Sequence, residues 1–171
     1  MPTQATRNPE ANAASDRRAG KYLAFDLAGE EFGVRVLKVR EIMGLQEITQ
    51  VPQTPAHVKG VINLRGKIIP VIDLRLKFGL PAAEYTQRTC IIVTQVQGEA
   101  APLVVGVVVD GVSEVLSLGA AEIEDTPDFG ESFAGGYLLG MAKVKGKVKI
   151  LLDIDRVLST QDVQHLREIL N

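Results

Sequence analysis

The chain has 171 residues, of which 46% are hydrophobic and 23% charged, and its formal net charge at pH 7 is −2. This composition is typical of a globular protein of one domain or two small ones, and it disfavours a globally basic nucleic-acid binder. The single cysteine, Cys90, excludes a disulfide framework and a four-cysteine zinc site, and two histidines, His57 and His165, disfavour a multi-histidine metal centre. The sequence shows neither a membrane-spanning apolar run nor a signal peptide, so we expect a soluble, intracellular protein.

The N-terminal segment differs in composition from the rest of the chain. Residues 1–20 contain no Val, Ile, Leu, Phe, Tyr or Trp. Such a segment cannot bury enough apolar surface to offset the entropy of ordering it, so we predict a disordered tail.

From Tyr22 onward, short runs rich in Val and Ile alternate with Gly and charged pairs, which is typical of β-strands and tight turns. Two pairs of strands are joined by two-residue turns, Arg65-Gly66 and Lys145-Gly146, and Gly suits the positive φ that such hairpins need. Asp73 and Asp153 each stand where a helix N-cap would lie. The predicted strands are 22–27, 32–36, 58–64, 67–72, 89–96, 103–109, 137–144 and 147–152, and the predicted helices are 37–43, 73–78, 153–158 and 160–170.

An internal repeat is the most informative pattern in the sequence. Gly60–Leu74 matches Gly140–Ile154 at a constant offset of 80, with Gly on Gly and an Asp at the end of each second strand. Upstream, Gly33–Ile42 matches Gly106–Val115 at an offset of 73. Because both blocks recur in the same order, we predict two similar β units related by an approximate twofold axis, with chance similarity of hairpins as the alternative. A solenoid is excluded because it needs at least three units.

No enzyme motif is visible. The sequence lacks a G-x-S-x-G elbow, a phosphate loop ending in Lys-Ser or Lys-Thr, and an H-E-x-x-H pair. Cys90 lies in an apolar strand, and Asp73 and Asp153 are better explained as caps than as a catalytic pair, because neither has a partner carboxylate. We therefore expect a protein without catalytic activity, metal or cofactor.

Basic residues cluster on the two predicted hairpins. The four lysines of the Lys143–Lys149 hairpin alternate, and alternation predicts that they share one face, where they protect an exposed strand from aggregation. Nucleic-acid binding through this hairpin is the rival function, although three Tyr, five Phe and no Trp offer few stacking platforms. Arg65 differs, because its guanidinium stands in a turn between two apolar strands and can reach a partner's carboxylate. An apolar seam between two β units would also accept an amphipathic helix, which favours a binding module.

The run Pro55–Arg75, with its Asn-Leu-Arg-Gly turn, resembles the signature of the CheW family of bacterial chemotaxis coupling proteins. Residues 33–42, 106–116 and 137–140 resemble the same family in the same order and spacing. The resemblance covers about residues 21 to 160, and the N-terminal tail lies outside it.

The resemblance implies a mainly β fold of two SH3-like five-stranded barrels packed together, with short helices and a C-terminal helix. It implies a non-catalytic adaptor, without a cofactor, that couples the cytoplasmic tips of chemoreceptors (methyl-accepting chemotaxis proteins) to the regulatory domain of the histidine kinase CheA. Barrels of the coupling protein and the kinase meet end to end in rings. The protein would then be cytoplasmic, recruited to receptor arrays at the inner face of the membrane.

The resemblance also implies a partner-binding site. Asn63 and Arg65 match the turn tied to signal coupling, Val112 and Val115 match one wall of the receptor groove, and Ile42 is added because it is the repeat mate of Val115. The complete set of implied receptor- and kinase-binding residues is Val39, Glu41, Ile42, Gly60, Asn63, Arg65, Val112 and Val115.

Two further expectations complete the prediction. We expect a CheW-like domain over residues 21–160 and a C-terminal helix over 161–171. The domain is expected to consist of approximate repeat halves 21–86 and 87–160, and the sequence leaves open whether these halves exchange strands. Met1 and the chain length favour a stand-alone adaptor. The resemblance does not separate chemotaxis from related receptor–kinase pathways such as pilus motility, and the Lys143–Lys149 hairpin is more basic than the family pattern implies.

Overall fold

The computed structural model describes residues 17–97, 101–125 and 135–170. Within them the chain forms eleven strands, three α-helices and short 3-10 turns at Val36–Lys38, Ala120–Glu122 and Gly135–Tyr137. The helices are α1 (Leu74–Lys77), α2 (Ile154–Val157) and α3 (Thr160–Leu170). The strands are β1 (Gly20–Leu27), β2 (Glu30–Arg35), β3 (Val39–Gly44), β4 (Val58–Leu64), β5 (Lys67–Asp73), β6 (Cys90–Val96), β7 (Leu103–Val109), β8 (Gly111–Leu118), β9 (Ile123–Glu124), β10 (Leu138–Val144) and β11 (Lys147–Leu152).

The eight predicted strands are present, and one predicted helix is wrong. Residues 37–43 form the end of a 3-10 turn followed by strand β3, because β3 pairs antiparallel with β6 and the ladder overrides the weak local helical spacing. The predicted helix caps are confirmed. The Asp73 carboxylate accepts the N–H of Arg75 at 2.9 Å, and the Asp153 carboxylate accepts the N–H of Asp155 at 3.1 Å.

The strands form two sheets, in the orders β8-β1-β2-β11-β10-β9 and β3-β6-β7-β5-β4. Each sheet curls around its own apolar cluster, since residues from opposite edges meet there. Leu116 of β8 and Ile123 of β9 share one cluster, and Met43 of β3 packs with Ile62 of β4 in the other. The predicted fold class, two packed β subdomains with short helices and a C-terminal helix, is confirmed. The first sheet has a sixth strand because the two-residue β9 pairs with β10.

The subdomains are built by strand exchange between the repeats. β2 pairs parallel with β11, with Gly33 opposite Leu151, and β5 pairs parallel with β7, with Val71 opposite Gly106. Each sheet therefore joins the hairpin of one repeat, β10–β11 or β4–β5, to a strand from the other repeat, β2 or β7. The segments 21–86 and 87–160 are thus units of sequence repeat, and each contributes strands to both sheets.

The largest apolar cluster lies between the two sheets rather than inside either one. It includes Phe25 and Val34 from the first sheet and Ile72, Ile92 and Val107 from the second. Burying this surface supplies the main driving force that holds the subdomains together. No described helix has the length and apolarity that crossing a membrane requires.

Among the residues that the structure describes, Lys149 is the one charged residue buried in the interior of the first sheet. This side chain is buried and forms an ion pair with Glu31 on β2, and the Lys147 ammonium lies 3.9 Å from the same carboxyl group. The repeat counterparts of Lys149 and Glu31 are Ile69 and Val104, which pack in the apolar cluster of the other sheet. One subdomain therefore uses an ion pair where the other uses apolar contact.

This difference gives a stability prediction. Lys149→Ala leaves the Glu31 carboxylate without its buried cation and lowers the free energy of unfolding by about 1–3 kcal/mol. The double variant Glu31→Val/Lys149→Ile copies the apolar pair of the other sheet and returns the free energy of unfolding to within about 1 kcal/mol of the unmodified chain, or above it. Urea denaturation of the three proteins measures both effects. A double variant less stable than Lys149→Ala would contradict the explanation.

The C-terminal helix α3 is tied to the subdomain junction by apolar and polar contacts. Val163 and Leu166 are buried in the cluster between the sheets. Lys77 Nζ lies 2.7 Å from Asp162 Oδ2, and His57 Nε2 lies 3.6 Å from Asp162 Oδ1. Burial alone would raise the pKa of Asp162, but hydrogen bonds from Lys77 and Ser159 outweigh it and hold that pKa below its usual value. Burial lowers the pKa of His57 below its ordinary value of 6.5; the Asp162 carboxylate opposes this shift without reversing it, and the Lys77 ammonium adds to it.

A pH dependence of stability follows from His57. Below about pH 6.5 the unfolded chain takes up a proton on this imidazole that the folded chain resists, so the free energy of unfolding falls as the pH falls. We expect His57→Gln to reduce this fall between about pH 7.5 and 5.5, measured by urea denaturation. His165→Gln on the exposed face of α3 is the control and should keep the original slope. Equal slopes in all three proteins would refute the assignment.

Candidate partner-binding site

The turn between β4 and β5 projects the Arg65 side chain into solvent. Arg65 and Gly66 have φ values of 51° and 87°, as a type I′ turn requires. The Asn63 side-chain oxygen accepts the N–H of Gly66 at 2.8 Å and so fixes the turn. Asn63 and Arg65, predicted together from the sequence, therefore have distinct roles: one side chain shapes the turn and the other is presented by it.

Arg65 forms a bidentate ion pair with Glu41 on β3. Its Nη1 and Nη2 atoms donate to Glu41 Oε1 and Oε2 at 3.0 and 2.6 Å. The contact joins β3 and the β4–β5 turn, from opposite edges of the same curled sheet. The hydrogen bond from Arg65 holds the pKa of Glu41 below its ordinary value, and the same bond raises the pKa of Arg65.

This ion pair orients the guanidinium more than it stabilises the fold. The Arg65 side chain is 71% exposed, and exposed pairs contribute little to stability. Two of the five guanidinium N–H groups point at Glu41, which leaves three donors for a partner's carboxylate or carbonyl groups. The arrangement can therefore hold a positioned cationic donor at the surface.

Gly60 is required for its lack of a side chain, which lets the Thr49 backbone approach β4 closely. Its φ is +141°, and a Cβ atom there would overlap the carbonyl group of Thr49. This close approach lets Thr49 exchange two backbone hydrogen bonds of 2.9 Å with Val61. Gly140, the repeat mate, has a φ of +157° and is crowded in the same way by the Glu124 carbonyl oxygen. A partner-binding role for Gly60 stays a prediction, and the structure gives this position an architectural one.

We expect Gly60→Ala to destabilise the fold by about 1–3 kcal/mol, because the new methyl group must displace the Thr49 backbone. Gly44→Ala on β3 is the matched control, since a Cβ there meets nothing within 4 Å. Thermal or urea unfolding distinguishes the two variants. If both unfold like the parent chain, the close approach does not constrain position 60.

Four apolar residues of the predicted site lie on edge strands. Val39 on β3 and Val112 on β8 are repeat mates, and both pack partly buried against the cluster between the sheets. Ile42 and Val115, a second pair of mates on the same two strands, are exposed. β3 and β8 each end the strand order of a sheet. The predicted residues thus form two equivalent edges that border one junction.

Sequence reasoning missed one feature of the surface and placed another wrongly. The exposed pair Ile68 and Val148 was not singled out, although the offset of 80 relates these residues and could have found them. The prediction that the four lysines of the Lys143–Lys149 hairpin share one face is wrong. Lys143 pairs across the hairpin with Val148, whereas Lys147 pairs with Val144, so the two-residue turn places Lys143 and Lys147 on opposite faces.

The reactive residue types do not assemble into a chemical site in the described part of the chain. There, no group of three or more His, Cys, Asp and Glu residues could hold a metal ion. Cys90 is partly buried and its thiol contacts the Arg88 carbonyl oxygen at 3.2 Å. Asp73 and Asp153 are helix caps, and His57 secures α3. The features that remain as a candidate site are the Arg65–Glu41 pair and the two apolar edges.

Strand-exchanged β subdomains with a shared core, and a candidate site made of surface residues, define a double-barrel interaction module. Residues 21–162 match the family model described as the CheW-like domain. The chain belongs to the CheW family.

Individual relatives agree with this assignment. The chain is 43% identical over 143 residues to the chemotaxis protein CheW of Klebsiella aerogenes, covering 84% of each sequence. It is 37% identical over 153 residues to the chemotaxis protein CheW of Rhizobium meliloti, covering 88% of this chain and 96% of that relative. The crystal structure of the scaffolding protein TtCheW from Thermoanaerobacter tengcongensis superposes with a TM-score of 0.74 at 32% identity, covering 84% of this chain and 97% of the other. The chain is therefore a member of a family of chemotaxis scaffold proteins.

Proposed function

We propose that this protein is a non-catalytic adaptor that couples the cytoplasmic tips of chemoreceptors to the histidine kinase CheA. Family membership supports the scaffold role, and relatives at up to 43% identity are named chemotaxis proteins. The observation that carries the proposal is the Arg65–Glu41 pair, which holds a 71% exposed guanidinium at the surface with donors free for a partner. An adaptor of this kind works in the cytoplasm and reaches the membrane only through its receptors.

The mechanism we infer uses the two edge strands. A helical receptor tip docks where Val39 and Val112 border the junction between the subdomains, with Ile42 and Val115 as exposed apolar contacts. Because Val39 and Val112 pack on the same cluster, a change in the docked helix alters the packing of both sheets. β3 also carries Glu41, so the change reaches the Arg65 guanidinium and the kinase contact. Each contact is of modest strength, about −8 kcal/mol or micromolar, and multivalency in an array supplies the rest.

A second receptor–kinase pathway is the alternative adaptor role. One relative, 30% identical over 150 residues and covering 86% of this chain, is named protein FrzA of Myxococcus xanthus rather than a chemotaxis protein. An adaptor for another receptor-controlled kinase, such as one for pilus motility, would use the same surfaces. Nucleic-acid binding through the Lys143–Lys149 hairpin has less support, because Lys149 is buried and paired with Glu31.

The experiment that tests the proposal is co-sedimentation of the purified chain with membranes that contain cognate receptors, with and without CheA, together with kinase autophosphorylation. We expect joint pelleting and a rise in kinase activity. Arg65→Ala should fold like the parent chain by circular dichroism and lose most of the rise, because it removes surface donors and no core contact. Arg156→Ala is the control, since that arginine is 69% exposed and, among the described residues, pairs with its near neighbour Asp153.

Two results would contradict the proposal. One is failure of the parent chain to pellet with cognate receptors and kinase. The other is full kinase activation by a folded Arg65→Ala variant.

A further inference from the structure

The first sheet has a polar pair of residues where the second sheet has an apolar pair. Tyr22 on β1 lies opposite Arg35 on β2. The repeat offset of 73 makes Val108 the counterpart of Arg35, and Val108 lies opposite Ile91 and packs with it in the apolar cluster of the second sheet. Tyr22 is completely buried, and its hydroxyl group donates to the Arg18 carbonyl oxygen at 2.6 Å. The polar atom of the tyrosine therefore has a partner.

The guanidinium of Arg35 has no such partner. Its Nε–H group is buried without a hydrogen-bond acceptor, and the side chain forms no ion pair within the described part of the chain. Buried donors in folded proteins are almost always hydrogen-bonded, because an unsatisfied donor lowers stability. An arginine at a position that its repeat counterpart fills with valine therefore points to a partner that is not among the described residues.

Arg35 lines a cleft of about 230 Å³ at the start of β1. Arg17 and Lys21, both exposed, line the same cleft, and neither forms an ion pair with a described residue. No Asp or Glu is among the described residues that line it. Val36 and Leu37 add an apolar wall, and Leu37 is 94% exposed. The cleft therefore brings three cations without counter-charges next to an apolar surface.

Arg18 also lines the cleft but has protein partners for its charge. Its Nη1 atom donates to Asp125 Oδ1 and to the Leu139 carbonyl oxygen on β10, each at 3.0 Å. These contacts hold the segment before β1 against β10. Arg18 therefore fixes one wall of the cleft, and the other three cations supply its charge.

We propose that this cleft binds a phosphate monoester group. Such a group carries a charge of about −1.5 to −2 at pH 7, which three cations match better than they match the single charge of a carboxylate. The planar guanidinium of Arg35 can donate two parallel hydrogen bonds to phosphate oxygens, and its Nε–H is one of the available donors. Pockets for drug-sized ligands have volumes of about 300–1,000 Å³, so the cleft suits a single phosphate on a short stem rather than a nucleotide.

The proposed site goes beyond the adaptor function and does not depend on it. Arg35 comes directly before the Val36–Lys38 turn, which leads into β3. A bound phosphate group would therefore contact the segment that precedes the β3 edge. A soluble metabolite and the headgroup of a lipid such as phosphatidic acid present the same monoester chemistry, so the experiment has to distinguish these two sources.

The first test concerns the missing partner of Arg35. Arg35→Met keeps an unbranched side chain and removes the guanidinium. Because the guanidinium has no partner in the folded chain, we expect Arg35→Met to unfold in phosphate-free buffer at the same urea concentration as the parent chain or a higher one. Unfolding at a clearly lower urea concentration would show that Arg35 already has a partner in the folded chain, and it would overturn the proposal.

The second test is titration of the full chain with inorganic phosphate and with glycerol phosphate at constant ionic strength, followed by NMR. We expect saturable shifts of the Arg35 Nε–H signal and of the Val36 and Leu37 amide signals. By the amide signals, Arg35→Met should bind both probes at least about tenfold more weakly. Lys21→Gln changes an exposed side chain and leaves the interior intact, and it should also weaken binding. Arg156→Met is the matched control, since that arginine is 69% exposed and lies outside the cleft, and it should bind like the parent chain.

Vesicles of phosphatidylcholine with phosphatidic acid distinguish the two sources, and phosphatidylglycerol, a phosphodiester, is the control lipid. Binding of the soluble probes identifies a soluble ligand, whereas binding only to the phosphatidic-acid vesicles, lost in Arg35→Met, identifies a lipid headgroup. If no probe binds, or if Arg35→Met binds as tightly as Arg156→Met, the inference is wrong. These assays contain neither receptor nor kinase, so their failure leaves the adaptor function standing.

Discussion

Strand exchange across a shared apolar core is the constraint on which the rest of this structure depends. β2 completes the sheet of β10 and β11, and β7 completes the sheet of β4 and β5, so neither repeat builds a subdomain alone. The largest cluster of buried side chains lies between the sheets, and α3 packs against it through Val163 and Leu166. The two subdomains consequently share one source of stability.

The candidate site follows from this architecture. The edge strands β3 and β8 border the shared core through Val39 and Val112, and β3 also positions the carboxylate that orients Arg65. A partner on one edge therefore contacts residues that are continuous with the core of both subdomains. In the proposed adaptor role, a shift in packing at the junction would reach the Arg65 turn through β3, and this route would need no reactive group.

Much of the fold could be predicted from the sequence because its signals are local or periodic. The repeat offsets can be found by comparing the sequence with itself. The positive-φ turns at Gly66 and Gly146 and the helix caps at Asp73 and Asp153 depend on nearby residues. The strand β3 was missed because its pairing with β6 is set by residues far away in the chain. The burial of Lys149 beside Glu31 was missed for the same reason, since its position in a lysine-rich run suggested a solvated side chain.

The central claim is that the exchanged strands make both subdomains one cooperative unit. Native-state hydrogen exchange of the full chain in increasing urea tests it most directly, because it reports the opening free energy of each strand separately. The account predicts that the central strands β1 and β2 of one sheet and β6 and β7 of the other lose protection in a single opening, with the free energy of global unfolding. Loss of protection in one sheet while the other stays protected would contradict it.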